Sequence, residues 1–209
     1  VTPRRMYLYT NEASAAIAAW GANEVFTRLC YSKTRDGGEA PDFHERCDGM
    51  GPSVTIMRLS TGMVIGGYAS ASWASDGMFI SDCSAFLFSI SRSYKLPLSF
   101  ANQGTCESAL YGFDGFGPTF GDGYEIYTTR NLDNGYCNPG TTYVCHVGMP
   151  NSRECQDDFC GTFSGWVVEE LEVWIRGPAP PPPPAPPAKP PTPPPAPPPP
   201  SPPPPPPPP

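Results

Sequence analysis

Twenty-five of the last 32 residues are proline, and no other feature limits the fold of this 209-residue chain so sharply. From Pro178 to Pro209 the run is broken only by Ala179, Ala185, Ala188, Lys189, Thr192, Ala196 and Ser201. Proline lacks a backbone N–H and has a fixed φ, so such a segment joins neither helix nor sheet, and it has no large apolar side chains to bury. It is expected to be a polyproline II tail, a semi-rigid rod reaching about 100 Å at about 3.1 Å per residue. Folding is left to residues 1–177, which hold the other seven prolines and all four tryptophans, Trp20, Trp73, Trp166 and Trp174. A domain of that size buries roughly 70% of the surface its unfolded chain exposes, so its core needs no cofactor, and none is expected.

The net charge is −7, and the tail contributes only the positive Lys189, so the first 177 residues carry −8. An acidic surface does not displace counterions from phosphates, which argues against nucleic acid as a partner. No stretch approaches the apolar length needed to span a bilayer. Eight cysteines, Cys30, Cys47, Cys83, Cys106, Cys137, Cys145, Cys155 and Cys160, are many for this length, and their even number suits complete pairing. Zinc would require paired short spacings; the closest cysteines are Cys155 and Cys160, and only His44 and His146 are available to help. Disulfides are therefore expected, without a metal, and with them an oxidising compartment. Sequence leaves the pairing open, although proximity favours pairing among the four from Cys137 to Cys160. The chain starts at Val1 with no leader before it, which reads as a processed secretory protein or a fragment. Asn151 is followed by Ser and Arg and does not form an N-glycosylation acceptor, so any sugar is expected to be O-linked.

Along the chain, Asn11 to Asn23 is alanine-rich and reads as a short helix with Asn11 as N-cap, ending near Gly21. Val25 to Tyr31 has strand character, Arg35 to Gly38 turns the chain, and Asp42 to Cys47 is one or two helical turns. Short runs rich in β-branched and aromatic residues follow: Ser53 to Leu59, Val64 to Trp73, Met78 to Ile80, Ala85 to Ser91, Leu98 to Ala101, Tyr124 to Thr129 and Trp166 to Ile175. Turn residues separate them. This spacing predicts a mainly β (α+β) fold, a two-sheet antiparallel β-sandwich with a few short helices. Residues 131–165 lack periodicity and are read as a surface excursion stapled by their four cysteines.

Six blocks then occur in a familiar order. They are Arg35-Asp36-Gly37 with Phe43-His44-Glu45-Arg46-Cys47-Asp48-Gly49; Gly51-Pro52-Ser53-Val54-Thr55-Ile56; Gly66-Gly67-Tyr68 with Trp73; Ser81-Asp82 with Ala85-Phe86-Leu87-Phe88-Ser89; Phe116-Gly117-Pro118-Thr119-Phe120-Gly121; and Glu169-Glu170-Leu171-Glu172-Val173-Trp174. Together, over about residues 6–176, they resemble the TLDc domain family. The resemblance implies a two-sheet β-sandwich with helices packed on it. It also implies association with protection against oxidative damage, and for some members with the vacuolar proton pump, but it supplies no catalytic residues.

The residues themselves point to little chemistry. His44, beside Glu45, is the best candidate general base, with Ser70, Ser72, Ser75, Ser81, Ser84 and Ser89 as candidate nucleophiles, yet no nucleophile-elbow motif occurs. His44 is expected instead to pack or cap within the sandwich, and no enzyme activity is expected. Asp36, Asp48, Asp76 and Asp82 stand in turn-like contexts where Asp bonds locally. The run Gly112 to Gly123 has no lysine and carries Asp114 and Asp122, which disfavours phosphate. A calcium site from Asp114 and Asp122 is the alternative to tight turns that seat Phe113, Phe116 and Phe120 on the core.

Ser201 followed by eight prolines resembles the Ser-(Pro)n repeats of extensins and related hydroxyproline-rich glycoproteins of plants and green algae. That resemblance implies hydroxylation and O-glycosylation at Pro181, Pro182, Pro183, Pro184, Pro194, Pro195, Pro198, Pro199, Pro200, Ser201, Pro202, Pro203, Pro204, Pro205, Pro206, Pro207, Pro208 and Pro209. Combined with the cysteines, it predicts a secreted structural glycoprotein of a matrix, cell wall or surface filament. Its expected partners are other copies or other wall glycoproteins, with covalent O-glycans. The competing reading is an intracellular TLDc protein whose tail is a ligand for SH3, WW or profilin-type proteins. Tyr7, Tyr9, Tyr136 and Tyr143 are candidate surface rings for stacking on prolines or sugars, against the plainer reading of ordinary strand packing.

Overall fold

The run from Ser53 to Leu59 is apolar at both odd and even positions, the pattern of a strand covered on two faces, and it forms β2 (Ser53–Leu59) in the middle of the larger of two sheets. The computed structural model describes residues 7–99, 105–162 and 165–177, all within the unit Val1–Ala179; the tail lies outside the described residues. In the larger sheet, β1 (Phe26–Ser32), β11 (Val168–Arg176), β2, β3 (Val64–Ala69), β5 (Phe86–Ser89) and β6 (Tyr94–Pro97) lie side by side in that order. The smaller sheet runs β10 (Gly135–Cys137), β9 (Ile126–Thr128), β8 (Thr119–Phe120), β7 (Leu110–Phe113) and β4 (Asp76–Ile80). Every neighbouring pair is antiparallel. The expected mainly β architecture is the observed one.

Each face of the larger sheet has its own core. On one side Val54, Ile56, Tyr68, Phe86 and Phe88 pack against Ala13 and Ile17 of α1 (Asn11–Trp20). On the other, Met57, Leu59, Ile65, Leu87, Leu96 and Val173 share a core with Leu110, Phe120, Ile126 and Cys137 of the smaller sheet. Two adjacent glycines in β3 serve one face each. A Cβ on Gly66 would collide with the ring of Phe88, its cross-strand partner, and a Cβ on Gly67 would collide with the ring of Phe120 in the opposite sheet. Both rings therefore rest on bare backbone.

Several local expectations are corrected. Thr10, not Asn11, caps α1: it is extended and its Oγ1 accepts the Ala13 N–H at 3.2 Å. The run Val64 to Trp73 stops being strand at Ala69, because the N–H groups of Ser70 and Ala71 are taken by the Asp82 carboxylate and not by a neighbouring strand. Leu98 makes an isolated bridge to Tyr143, and the strand before it is β6, ending at Pro97 on the sheet edge, where proline is tolerated; Phe100 and Ala101 of the expected run lie outside the described residues. Arg35 and Asp36 end a single helical turn, α2 (Lys33–Asp36), and α3 (Ala40–Cys47) supplies the expected two turns before Asp48. Residues 131–165 contain β10 and a helix, α4 (Arg153–Cys160), capped by Ser152. Of Phe113, Phe116 and Phe120, only Phe120 is in the core.

All eight cysteines are paired, as Cys30–Cys47, Cys83–Cys106, Cys137–Cys160 and Cys145–Cys155, with Cα atoms 4.5 to 6.5 Å apart. The last two pairs lie within Cys137 to Cys160, as proximity suggested. Each closes a short loop, and removing such a loop constraint costs about 3 kcal/mol.

Two predictions follow from this packing. Peptide mapping without reduction should recover these four pairs, and Cys145→Ser with Cys155→Ser should lower stability by about 2–4 kcal/mol in denaturant melts while leaving the other three pairs intact. Gly67→Ala should cost about 1–3 kcal/mol, with part of the loss restored by adding Phe120→Leu; a neutral Gly67→Ala would show that the sheets are not seated on this contact.

Candidate functional site

Three buried polar side chains organise the ends of the sandwich. Asp82 accepts from Ser70 N and Oγ, both at 2.6 Å, and from Ala71 N and Ser84 N, both at 2.9 Å. It thus ties the end of β3 to the turn that carries the Cys83–Cys106 disulfide. Glu125, fully buried, accepts at Oε1 from the backbone N–H groups of Gly140, Thr141, Thr142 and Tyr143 at 2.6 to 3.0 Å. This one carboxyl organises the loop after β10. Burial pushes its pKa up to about 7, against the opposing pull of those four N–H donors.

His44 is the third. Its Nδ1 lies 2.8 Å from Asp48 Oδ1, and its Nε2 lies 2.9 Å from the Phe113 carbonyl and 3.0 Å from the Phe116 carbonyl. Every partner is an acceptor, so both ring nitrogens act as donors and the ring is an imidazolium. Burial opposes that charge, but the hydrogen bond and charge of Asp48, with the two carbonyls, outweigh it and raise the pKa above the ordinary histidine value. The sequence candidate for a general base is therefore a cationic clamp that holds the β7–β8 turn to α3. The candidate nucleophiles also have structural partners: Ser70 on Asp82, Ser72 Oγ accepting from Gly51 N, and Ser89 Oγ accepting from Arg92 N. Asp36 binds Ser32 N and Arg35, and Asp76 accepts from Met78 N, so both act locally as expected. Asp114 and Asp122 are exposed, and among the described residues no three His, Cys, Asp or Glu side chains gather as a metal ion requires.

What the fold does assemble is a row of aromatic rings. Period-two alternation places Ile80, Leu110, Phe120, Ile126 and Cys137 on the inner face of the smaller sheet, one residue from each strand. On the outer face Phe79 pairs with Tyr111 and Tyr111 with Thr119, while Tyr127 pairs with Tyr136; β8 and β9 are joined one residue over, at Phe120 and Ile126. Phe79 and Tyr111 have ring centroids 5.0 Å apart, and Tyr127 and Tyr136 6.3 Å. Thr119 is buried between these pairs, and the gap is bridged by Phe116, 6.4 Å from Tyr111 and 5.1 Å from Tyr127, and by Tyr124, 5.7 and 5.5 Å from the same two rings. Phe113 adds a ring 5.0 Å from Phe116.

Of the four tyrosines selected from the sequence, only Tyr136 lies in this row. Tyr143 is a correction: it is wholly buried, donating its hydroxyl to the Ala109 carbonyl at 2.7 Å. Tyr7 and Tyr9 instead pack on Trp174 beside α1. The row was missed because its rings come from four strands and the turns between them and meet only in the tertiary fold. The positions assigned to hydroxylation and glycosylation, 181–184, 194–195 and 198–209, lie outside the described residues.

Raised pKa values at Glu125 and His44 act in one direction. Each favours the protonated form in the folded state. Glu125 therefore contributes stability fully present below about 4.5 and lost as pH rises through about 7, and His44 one present below 6.5 and lost above its own raised value. The unfolding midpoint should fall as pH rises from about 5 to about 9. Glu125→Gln should flatten the lower part of that fall and His44→Gln the upper part. A midpoint that rises with pH over this range would contradict the assignment.

The order and spacing of these elements match a known pattern. A TLDc domain profile aligns with residues 15–177, from within α1 through both sheets to the closing strand β11. Comparison with curated protein sequences returns no match. With most of its length aligned to that profile, the chain belongs to the TLDc domain family.

Proposed function

We propose that this protein is a secreted structural glycoprotein of an extracellular matrix, cell wall or surface filament, in which a TLDc sandwich is carried on a hydroxylated and O-glycosylated polyproline rod. The observation that carries the reading is the combination of four disulfides, which leave no free cysteine, with 25 prolines in residues 178–209. Disulfides that use every thiol persist in oxidising compartments and are rare in the cytosol. Contiguous prolines hold an extended rod without internal hydrogen bonds, and hydroxylation at Cγ followed by short pentose chains covers its apolar ring faces and stiffens it. Clamps and turns fully occupy the only candidate base and several of the candidate nucleophiles, which supports a binding or structural role over catalysis.

Intact-mass spectrometry of protein from its native source is the test. The expected spectrum shows one added oxygen per modified proline plus pentose increments, and a loss of two hydrogens for each of four disulfides. An unmodified tail with eight free thiols would overturn the reading and restore the intracellular one, with the tail as an SH3, WW or profilin-type ligand.

A further inference from the structure

The outer face of an antiparallel sheet that meets water is ordinarily polar. Here that face carries two paired groups of rings, Phe79 with Tyr111 and Tyr127 with Tyr136, with Phe116 and Tyr124 closing the gap between them. None of the six is fully buried, and Phe79 is 43% exposed. Rings in mutual contact along a sheet face that is partly open to water offer a candidate interaction surface.

We propose that this aromatic row is a docking platform for polyproline II helix, and that its occupant is residues 178–209 of a second copy of this chain. The inference rests on the proposed function only in taking that segment as an extended rod. Three arguments select this occupant. The first is spacing. Residues on alternate strands of a sheet stand about 9.6 Å apart, and one turn of polyproline II is about 9.3 Å, so a rod crossing the strands presents equivalent proline rings to every second strand. Five strands span about 19 Å, the length of roughly six prolines, and the uninterrupted run Pro202 to Pro209 is long enough to cover them.

The second is chemistry. Polyproline II is recognised by aromatic surfaces that take the flat proline rings, and little ordering entropy is lost because the rod is already extended. Its carbonyls have no internal donors. Tyr111, Tyr124 and Tyr127 carry hydroxyls, which are donors of the kind those carbonyls accept. The third is exclusion. Single-stranded nucleic acid also stacks on rings but needs a basic groove, and the adjoining turns carry Asp114 and Asp122. A sugar needs carboxylates or amides for its hydroxyls, and the row itself contains none.

The test uses the full-length protein. Sedimentation velocity should show concentration-dependent association, and at a concentration where the protein is monomeric, an unmodified synthetic peptide of Ser201 to Pro209 should bind in a calorimetric or fluorescence titration. Phe79→Ser and Tyr136→Ser, at opposite ends of the row, should each weaken both events about tenfold. Tyr7→Ser, which removes an exposed ring outside the row, should leave them unchanged. Tyr127→Phe keeps the ring and removes only the hydroxyl, so it should weaken binding by a few fold in a protein whose melting point is unaltered, and it decides the matter if either serine variant unfolds. Absence of peptide binding, an equal loss in Tyr7→Ser, or binding of a free arabino-oligosaccharide at the same row in place of the peptide would overturn the proposal. Because the peptide is unmodified, this outcome is independent of whether the native tail is hydroxylated or secreted.

Discussion

The ring of Phe120 resting on the bare backbone of Gly67 is the contact on which the sandwich depends. It joins the shortest strand of the smaller sheet to the centre of the larger one, and Trp73 and Tyr143 complete the packing around the ring at 5.3 and 6.5 Å. A side chain at Gly67 would hold the sheets apart or force Phe120 from its place. On the opposite face the ring of Phe88, from the neighbouring strand of the same sheet, lies over Gly66. Those contacts are a physical reason for the glycine pair to stand in a run otherwise suited to β-branched residues.

The smaller sheet could not persist on strand pairing alone, since β8 has two residues and β9 and β10 have three each. Its order comes from buried polar groups and covalent links at its rim. Glu125 gathers four backbone N–H groups, the charged His44 holds two carbonyls of the β7–β8 turn, and Cys137–Cys160 ties β10 to α4. Each such group would be costly if left without its partners in the interior, so these contacts fix a single geometry for the loops. The same contacts hold the strands and turns that carry the row of rings on the outer face.

Residues that signal their role locally were legible. The β2 run, the glycine that ends α1, the cysteine count and the TLDc blocks all depend on neighbours in sequence, and all reappear in the structure. Less legible were elements whose partners are distant. Asp82 ends β3 early from 12 residues away, and β10 exists because Tyr136 faces Tyr127 across a pairing that composition does not announce. His44 illustrates the limit well. Its sequence context suits a base, and only its three acceptor partners, two of them about 70 residues distant, reveal a charged clamp.

By itself, the sequence determined the division into a folding part and a proline segment, the β-rich class, and the pairing potential of eight cysteines. These follow from properties each residue carries everywhere: a missing N–H, a β-branched side chain, an oxidisable thiol. Tertiary structure alone decided which cysteines meet, that Tyr143 is core while Tyr136 lies on the surface, and that aromatic residues from four strands and the turns between them form one row. The reason is register. In a sheet a shift of one residue reverses inside and outside, and that choice is made by partners across the sheet and across the sandwich.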